Sequence, residues 1–456
     1  MDDQAPTPRR PMLRSRRGVI VAVAIVAVVV LAAVLGGNVG SLFRSQSKPL
    51  RLHLEPAVAP GGEVTTFTVS VSEAGGTLVL PWMLLPKDDN GTYFDITRNV
   101  TLVERTWSFT ALVMPARNET GTNMTNLTYV KGERNATAPL ERTNGTSPLV
   151  SGQGFYDNLA YLTSNYPHRQ TGRRDHYAAA AWIEGIFTAQ GYESETHHYR
   201  WSDRIGGVVG FRPIVPRPLG DILVVTGIKR GEVDDEWIVI GGHFDDAAND
   251  RSTGEGAYDD GAGTSLMLEY ARALSDIPLR HTVMFAAWGG EEEGLYGSDR
   301  WVTNDVPPGV SIKFYLNLDM TGISYPNPST FHSWVGPDMT EGIDHPVLFG
   351  LVENLTYEGM GMPRDLGKVE LIESDFGRSD HVSFWHIDTP TVFFIGELDT
   401  YPYYHTPDDT LAKMEEFVGG KENLIAGFDV AAWNGMLIVL AVDADDQIHQ
   451  GEVDYQ

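Results

Sequence analysis

Two apolar runs constrain the fold more than anything else in this chain. WIVIGG at 237–242 and HTVMFAAW at 281–288 are short, rich in branched or aromatic side chains, and run into glycines. Runs of that length and make-up read as buried strands. Each then opens into residue types that bind metals, GGHFDD at 241–246 and GGEEE at 289–293. A third cluster, AYDDGAG at 257–263, lies between them. In open α/β sheets, ligands bind outside the carboxyl ends of the strands. The two strand ends therefore point at one crevice, carrying His243, Asp245, Asp259, Asp260, Glu291 and Glu292.

The surrounding pattern agrees. Residues 176–192 have apolar positions at helical spacing, 220–228 reads as a strand, and 263–275 reads as a helix with Leu266, Tyr270 and Leu274 on one face. A short helix near 295–304, a strand at 313–320 that ends in Asp319, and a strand at 389–397 follow. The apolar helix at 422–441 is interrupted by Asp429 and Asn434, so it reads as a core helix on the sheet rather than a membrane span. Alternating strands and helices predict an α/β fold, a mostly parallel mixed sheet with helices on both faces, over residues 152–445. An acidic tail, 446–456, follows it.

The first third is organised differently. Residues 1–17 form a basic tail with five arginines, and 18–36 opens with an uncharged run, GVIVAVAIVAVVVLAAVL. Eighteen helical residues span about 27 Å, close to the hydrocarbon thickness of a bilayer. Arginines before the run and an acidic remainder after it predict a single-pass anchor, N-terminus cytoplasmic and bulk outside. The alternative is a cleaved signal peptide. A tether at 37–49 leads to a β-rich module at 50–138, whose period-2 runs separated by Gly and Pro predict small antiparallel sheets. Residues 131–150 look like a linker, which as a domain boundary is set at 139–151. Asn90, Asn99, Asn118, Asn123, Asn126, Asn135 and Asn144 each begin an N-x-[ST] sequon, a density that fits a glycan-coated exposed region.

Composition narrows the chemistry. The chain has 456 residues and no cysteine, so disulfides and thiolate metal sites are excluded and any metal must be held by His and carboxylates. Net charge is −27, with 8 lysines against 26 arginines. That balance argues against nucleic acid as a partner, and matches the acidic surfaces of proteins from salt-loving microbes, where salt screens self-repulsion.

Two further pieces complete the candidate set: NLDMTG at 317–322 and YYHTPDDT at 403–410, with GRSDHVSFW at 377–385 between them. Two imidazoles with several carboxylates suit Zn²⁺. The pieces GGHFD, YDDGAG, GEEEGLYGS, NLDM, SDHVSF and YHTPDDT together resemble the co-catalytic di-zinc exopeptidase family that includes secreted bacterial leucine aminopeptidases and glutamate carboxypeptidases. The resemblance covers roughly 152–445. It implies that His243, Asp259 and Asp319 hold one zinc and that Asp259, Glu292 and His405 hold the other, with Asp259 shared. It further implies Glu291 as general base, Asp245 as the carboxylate that orients the His243 ring, and a cis peptide between Asp259 and Asp260. Gly294-Leu295 fixes the register of the three glutamates and leaves Glu293 at the variable position. Phe376 stands where some relatives carry a tyrosine that helps hold the oxyanion, and His381 reads as an orienting or helix-start residue. The expected function is a membrane-anchored, extracellular aminopeptidase acting on peptides. Alternatives are a carboxypeptidase or glutaminyl cyclase on the same fold, or an inactive receptor or adhesion module. Terminal-residue preference and oligomeric state stay open.

Overall fold

Along 237–240 the side chains alternate between two cores. Ile238 and Ile240 pack with Phe155, Leu266 and Phe428, while Trp237 and Val239 pack with Trp288, Trp301 and Phe384. Successive strand side chains point to opposite faces, so a strand buried on both sides needs helices on both sides. The computed structural model describes residues 48–87, 94, 98–115, 122–145, 147–200, 220–247, 254–323, 331–336, 346–360, 369–373, 378–396 and 401–450. The expected basic tail, the apolar span and all but the end of the tether lie outside these residues, as does Phe376.

Arg51–Gln456 form one compact unit. It begins with two sheets. The first, in order β1-β3-β7-β5, holds β1 (Leu52–Glu55), β3 (Val64–Val71), β5 (Leu84–Pro86) and β7 (Thr106–Val113). The second, in order β2-β9-β8-β4-β6, holds β2 (Val58–Gly61), β4 (Gly76–Val79), β6 (Asn99–Leu102), β8 (Thr122–Lys131) and β9 (Arg134–Asn144). Pairing is antiparallel as expected, except that β2 runs parallel to β9. The expected linker at 139–151 is corrected at its start, because β9 pairs with β8 through Asn144 and 141–144 pairs with β2. Its inward face offers only Ala138 and Leu140 before the buried Arg142, whose guanidinium donates to the Met114 and Pro115 carbonyls. So thin an apolar face does not stand out from a polar loop. Leu85, Phe94, Leu112 and Met114 of this region share one core with Val150 and Phe155.

The large sheet has the order β10-β11-β13-β12-β14-β17-β15-β16. Its strands are β10 (Glu193–Tyr199), β11 (Ile222–Lys229), β12 (Val233–His243), β13 (His281–Trp288), β14 (Ser311–Leu318), β15 (Phe331–Gly336), β16 (Val369–Glu373) and β17 (Thr391–Ile395). The central strands β13, β12, β14 and β17 are mutually parallel. β11 and β10 continue the sheet antiparallel on one side, and β15 is antiparallel to β17 on the other.

The helices are α1 (Gly152–Asn165), α2 (Arg174–Ala189), α3 (Ala262–Leu274), α4 (Tyr296–Asn304), α5 (Pro346–Glu353), α6 (His381–Trp385), α7 (Leu411–Val418) and α8 (Lys421–Ala444). Helix α8 is the expected core helix. Phe428 stacks on Phe155 of α1 with ring centres 3.8 Å apart, the Tyr270 hydroxyl of α3 donates to the Ala431 carbonyl, and 83% of its most apolar window is buried.

Candidate metal centre

Parallel strands end at the same edge of a sheet, and this edge collects the predicted residues. His243 closes β12 opposite Trp288, the last residue of β13. Glu291 and Glu292 follow three and four residues later, and Asp319 follows the end of β14. Asp259 and Asp260 sit in a wide helical turn, Ala257–Gly261, and the peptide between them is cis. His405 arrives from the turns at 401–410 with φ 55°, and Met320, beside Asp319, has φ 48°. Non-glycine residues in the left-handed region are uncommon and collect at sites where surrounding structure holds them.

The donor atoms of His243, Asp259 and Asp319 all lie within 4.8 Å of one another, and so do those of Asp259, Glu292 and His405. Asp259 belongs to both sets and divides its oxygens between them. Oδ1 is 3.1 Å from His243 Nε2, and Oδ2 is 2.8 Å from His405 Nε2. Asp319 Oδ1 lies 3.7 Å from His243 Nε2, and Glu292 Oε1 lies 3.4 Å from His405 Nε2. A third grouping, His243 with Glu291 and Glu292, places Glu291 against the same cluster. Glu293 is buried too, but accepts the Thr171 hydroxyl at 2.8 Å and enters none of these groups.

Neighbouring groups hold the ligands. Asp245 meets the His243 ring twice at Nδ1, with its main-chain carbonyl at 3.2 Å and its carboxylate Oδ1 at 3.6 Å. The carboxylate accepts the main-chain N–H groups of Glu291 and Glu292, each at 3.3 Å, and so ties the glutamate turn to the His243 loop. Asp260 accepts from the main-chain N–H of His243, Gly263 and Met320. His381 faces Asn317 Nδ2 across 3.2 Å and stacks on Phe393, an orienting position away from the donor sets.

Two residues that sequence reasoning left without a role stand out. Arg169 is fully buried and donates to the carbonyls of Phe244, Glu255 and Gly256 at 2.7–2.8 Å, pinning the approaches to His243 and Asp259. Asp409, inside the YYHTPDDT motif, accepts the main-chain N–H groups of Tyr258 and Asp259. The motif was the available signal for Asp409. Arg169 had none, because a lone arginine in HRQTGRRD looks like a surface residue.

The electrostatics fit dications. Glu292 Oε1 and Asp319 Oδ1 are buried and accept no hydrogen bond of good geometry. Burial, and after it the neighbouring carboxylates, hold Glu291 well above the usual range; burial and Asp259 push Glu292 up to about 8. At His405 burial opposes the charge, but Glu292 and Asp259 outweigh it and hold the ring at about 11. Buried carboxylates crowded around two imidazoles need positive charge. An all-oxygen-and-nitrogen set with two imidazoles suits zinc.

Residues 224–418 match peptidase family M28. That match spans 195 of the 456 residues. Every donor of the cluster falls inside it, whereas the two N-terminal sheets and α1, α2 and α8 do not. Similar curated proteins include leupeptin-inactivating enzyme 1 of Streptomyces exfoliatus, 29% identical over 248 residues, covering 53% of this chain and 48% of that protein. Aminopeptidase YwaD of Bacillus subtilis is 30% identical over 199 residues, covering 42% of this chain and 40% of that one. The chain spans about half the length or less of these relatives. Among solved structures, the zinc aminopeptidase BSAP from Bacillus subtilis is 18% identical, with 63% of this chain and 94% of that chain covered and a TM-score of 0.49.

Proposed function

We propose that this chain is a di-zinc exopeptidase that removes N-terminal residues from peptides. The observation that carries the reading is the division of Asp259, one oxygen toward each imidazole, within two sets of three donors. His243, Asp259 and Asp319 would hold one ion; Asp259, Glu292 and His405 the other. Ions held there would supply polarisation of the peptide carbonyl and a lowered pKa for the attacking water. Glu291 belongs to neither set that shares Asp259, so its carboxylate takes the proton from that water and returns it to the departing amine. Asp245 holds Glu291 and Glu292 by their main-chain N–H groups and so sets where the base stands.

Five donors grouped around one shared Asp favour this reading over a single-zinc cyclase or an inactive receptor module. A panel of aminoacyl anilides against N-blocked peptides with free carboxyl termini tests it. Hydrolysis of the anilides alone is expected. Cleavage of the blocked peptides alone would replace the aminopeptidase with a carboxypeptidase, and no hydrolysis of either would end the enzyme reading.

The location is also a proposal. The uncharged run at 18–35 behind five arginines supports a single-pass anchor in the membrane lipid, with the peptidase region outside. Fractionation is expected to find the protein in membranes, and a mature N-terminus beyond Leu35 in the medium would turn the anchor into a signal peptide. The −27 charge supports a halophilic source, so the melting temperature is expected to rise into molar salt.

A further inference from the structure

We propose that Asp409 is a positioning residue that fixes the shared ligand Asp259 against the ligand His405. Asp409 is 3% exposed and enters none of the donor groupings. Its Oδ1 accepts the N–H of Tyr258 at 3.0 Å and its Oδ2 accepts the N–H of Asp259 at 3.0 Å. The Tyr401 hydroxyl donates to Oδ1 at 3.1 Å, and the Asp409 carbonyl accepts the Ala257 N–H at 3.2 Å. Asp409 lies four residues after His405, in turns closed by Thr406 N–H on the Tyr403 carbonyl and Asp409 N–H on the Thr406 carbonyl. One carboxylate thus joins the loops that supply Asp259 and His405, two of the three donors of the second set.

The geometry gives this joint consequence. Asp259 reaches His243 with one oxygen and His405 with the other, so any shift of its backbone disturbs both sets. An asparagine in place of Asp409 has one acceptor atom for two N–H donors, and its amide N–H₂ would face one of them. Groups that orient metal ligands typically cost about 10–100-fold in metal affinity when changed.

A matched control exists elsewhere in the fold. Asp443 of α8 accepts two consecutive main-chain N–H groups, Arg280 at 2.9 Å and His281 at 2.8 Å, at the start of β13. The metal cluster lies past the other end of that eight-residue strand, about 23 Å away. Asp409 and Asp443 therefore make the same kind of contact, one carboxylate on two consecutive main-chain N–H groups, at separate places in the fold.

The test is a zinc titration of metal-stripped, full-length protein against a chelating indicator, together with thermal unfolding of the stripped protein. D409N is expected to raise the zinc Kd about 10–100-fold. D443N is expected to lower the melting temperature while leaving the zinc Kd within about twofold of wild type. Tyr401→Phe, which keeps the ring and removes one donor, is expected to raise the Kd by a smaller factor and carries the test should D409N not fold. A D409N or Tyr401→Phe Kd equal to wild type, or D443N raising the Kd as much as D409N, overturns the proposal. It rests on the metal-centre reading. Wild-type protein that binds no zinc removes that reading, whereas wild-type binding with unchanged D409N affinity removes only this one.

Discussion

Replacing Glu291, Glu292 and Glu293 by glutamine, one at a time, separates three roles with almost the same chemistry. All three side chains are buried, so none of the outcomes can be put down to exposure. Glu291 stands against His243 and Glu292 but outside the two sets that share Asp259. Glu291→Gln keeps the shape and removes the proton acceptor. Loss of a positioned acid–base group costs about 10²–10⁴-fold in kcat, or about 3–5 kcal/mol of barrier. Zinc content is expected to stay at two per chain. Glu292→Gln weakens one of three donors in the second set, where zinc sites ordinarily keep at least three protein ligands. Zinc is expected to fall toward one per chain, with activity lost alongside it. Glu293→Gln retains an acceptor for the Thr171 hydroxyl, which Glu293 meets at 2.8 Å, so both readouts are expected near wild type. The assay pairs hydrolysis of leucine p-nitroanilide with elemental zinc analysis on the same desalted samples. If Glu291→Gln sheds an ion while Glu292→Gln keeps both, the two roles are exchanged. Wild-type rates in all three variants would refute the catalytic assignment altogether.

Asp259→Ala is expected to lose both ions and His405→Ala mainly one, since only Asp259 enters both donor sets; elemental analysis that finds full metal in Asp259→Ala rules out the sharing. His176 is fully buried, stacks on Phe244 at 4.6 Å and has its pKa held down to about 4 by burial. Its stabilising contribution is complete above the unfolded pKa near 6.5 and is lost as pH falls toward 4, roughly 2 kcal/mol between pH 7 and pH 5. Urea unfolding of wild type and His176→Phe across that range is expected to show the variant losing less; parallel curves would contradict it. A Cβ at Gly263 would lie 2.3 Å from the Leu318 carbonyl and 2.5 Å from Asp260 Oδ2, so Gly263→Ala is expected to cost about 1–3 kcal/mol, seen as a lower melting temperature.

Much of this architecture was legible because period and punctuation agreed. The strand at 281–288 was placed to the residue, and the helix at 263–275 to within one. His243, Asp259, Glu292, Asp319 and His405, drawn from 163 residues of sequence, meet in one cluster. Less visible were elements without an apolar signature. Strand β10, ESETHHY, lies at the edge of its sheet with every side chain half-buried or exposed, so no buried apolar residue marks it. Helix α1 was passed over because GQGFYDNLAYLTSN opens on glycines, although its Ser151 cap and Phe155, Leu159 and Leu162 supply a cap and a buried stripe. The contacts of Asp245 and Asp409 were beyond reach for another reason. Both carboxylates bind main-chain N–H groups, and spacing along a chain says which side chains can approach, not which amides will face them.

Helix α8 has a consequence for biogenesis. Its 24 residues are long and apolar enough to span a bilayer. Should the chain be exported behind residues 18–35, this segment would pass through a translocation channel before it has a core to join. Lateral escape into lipid would strand the peptidase region. An aspartate at the centre of such a segment disfavours insertion by about 2.5–3.5 kcal/mol. Asp429 and Asn434 interrupt the apolar run and Asp443 lies at its end, and each has folded work as well: Asp429 accepts the Gly152 N–H that opens α1, Asn434 accepts the Thr356 hydroxyl, and Asp443 anchors the start of β13. In an exported chain these side chains would oppose insertion while the segment is unfolded; in the folded chain they hold the helix in place.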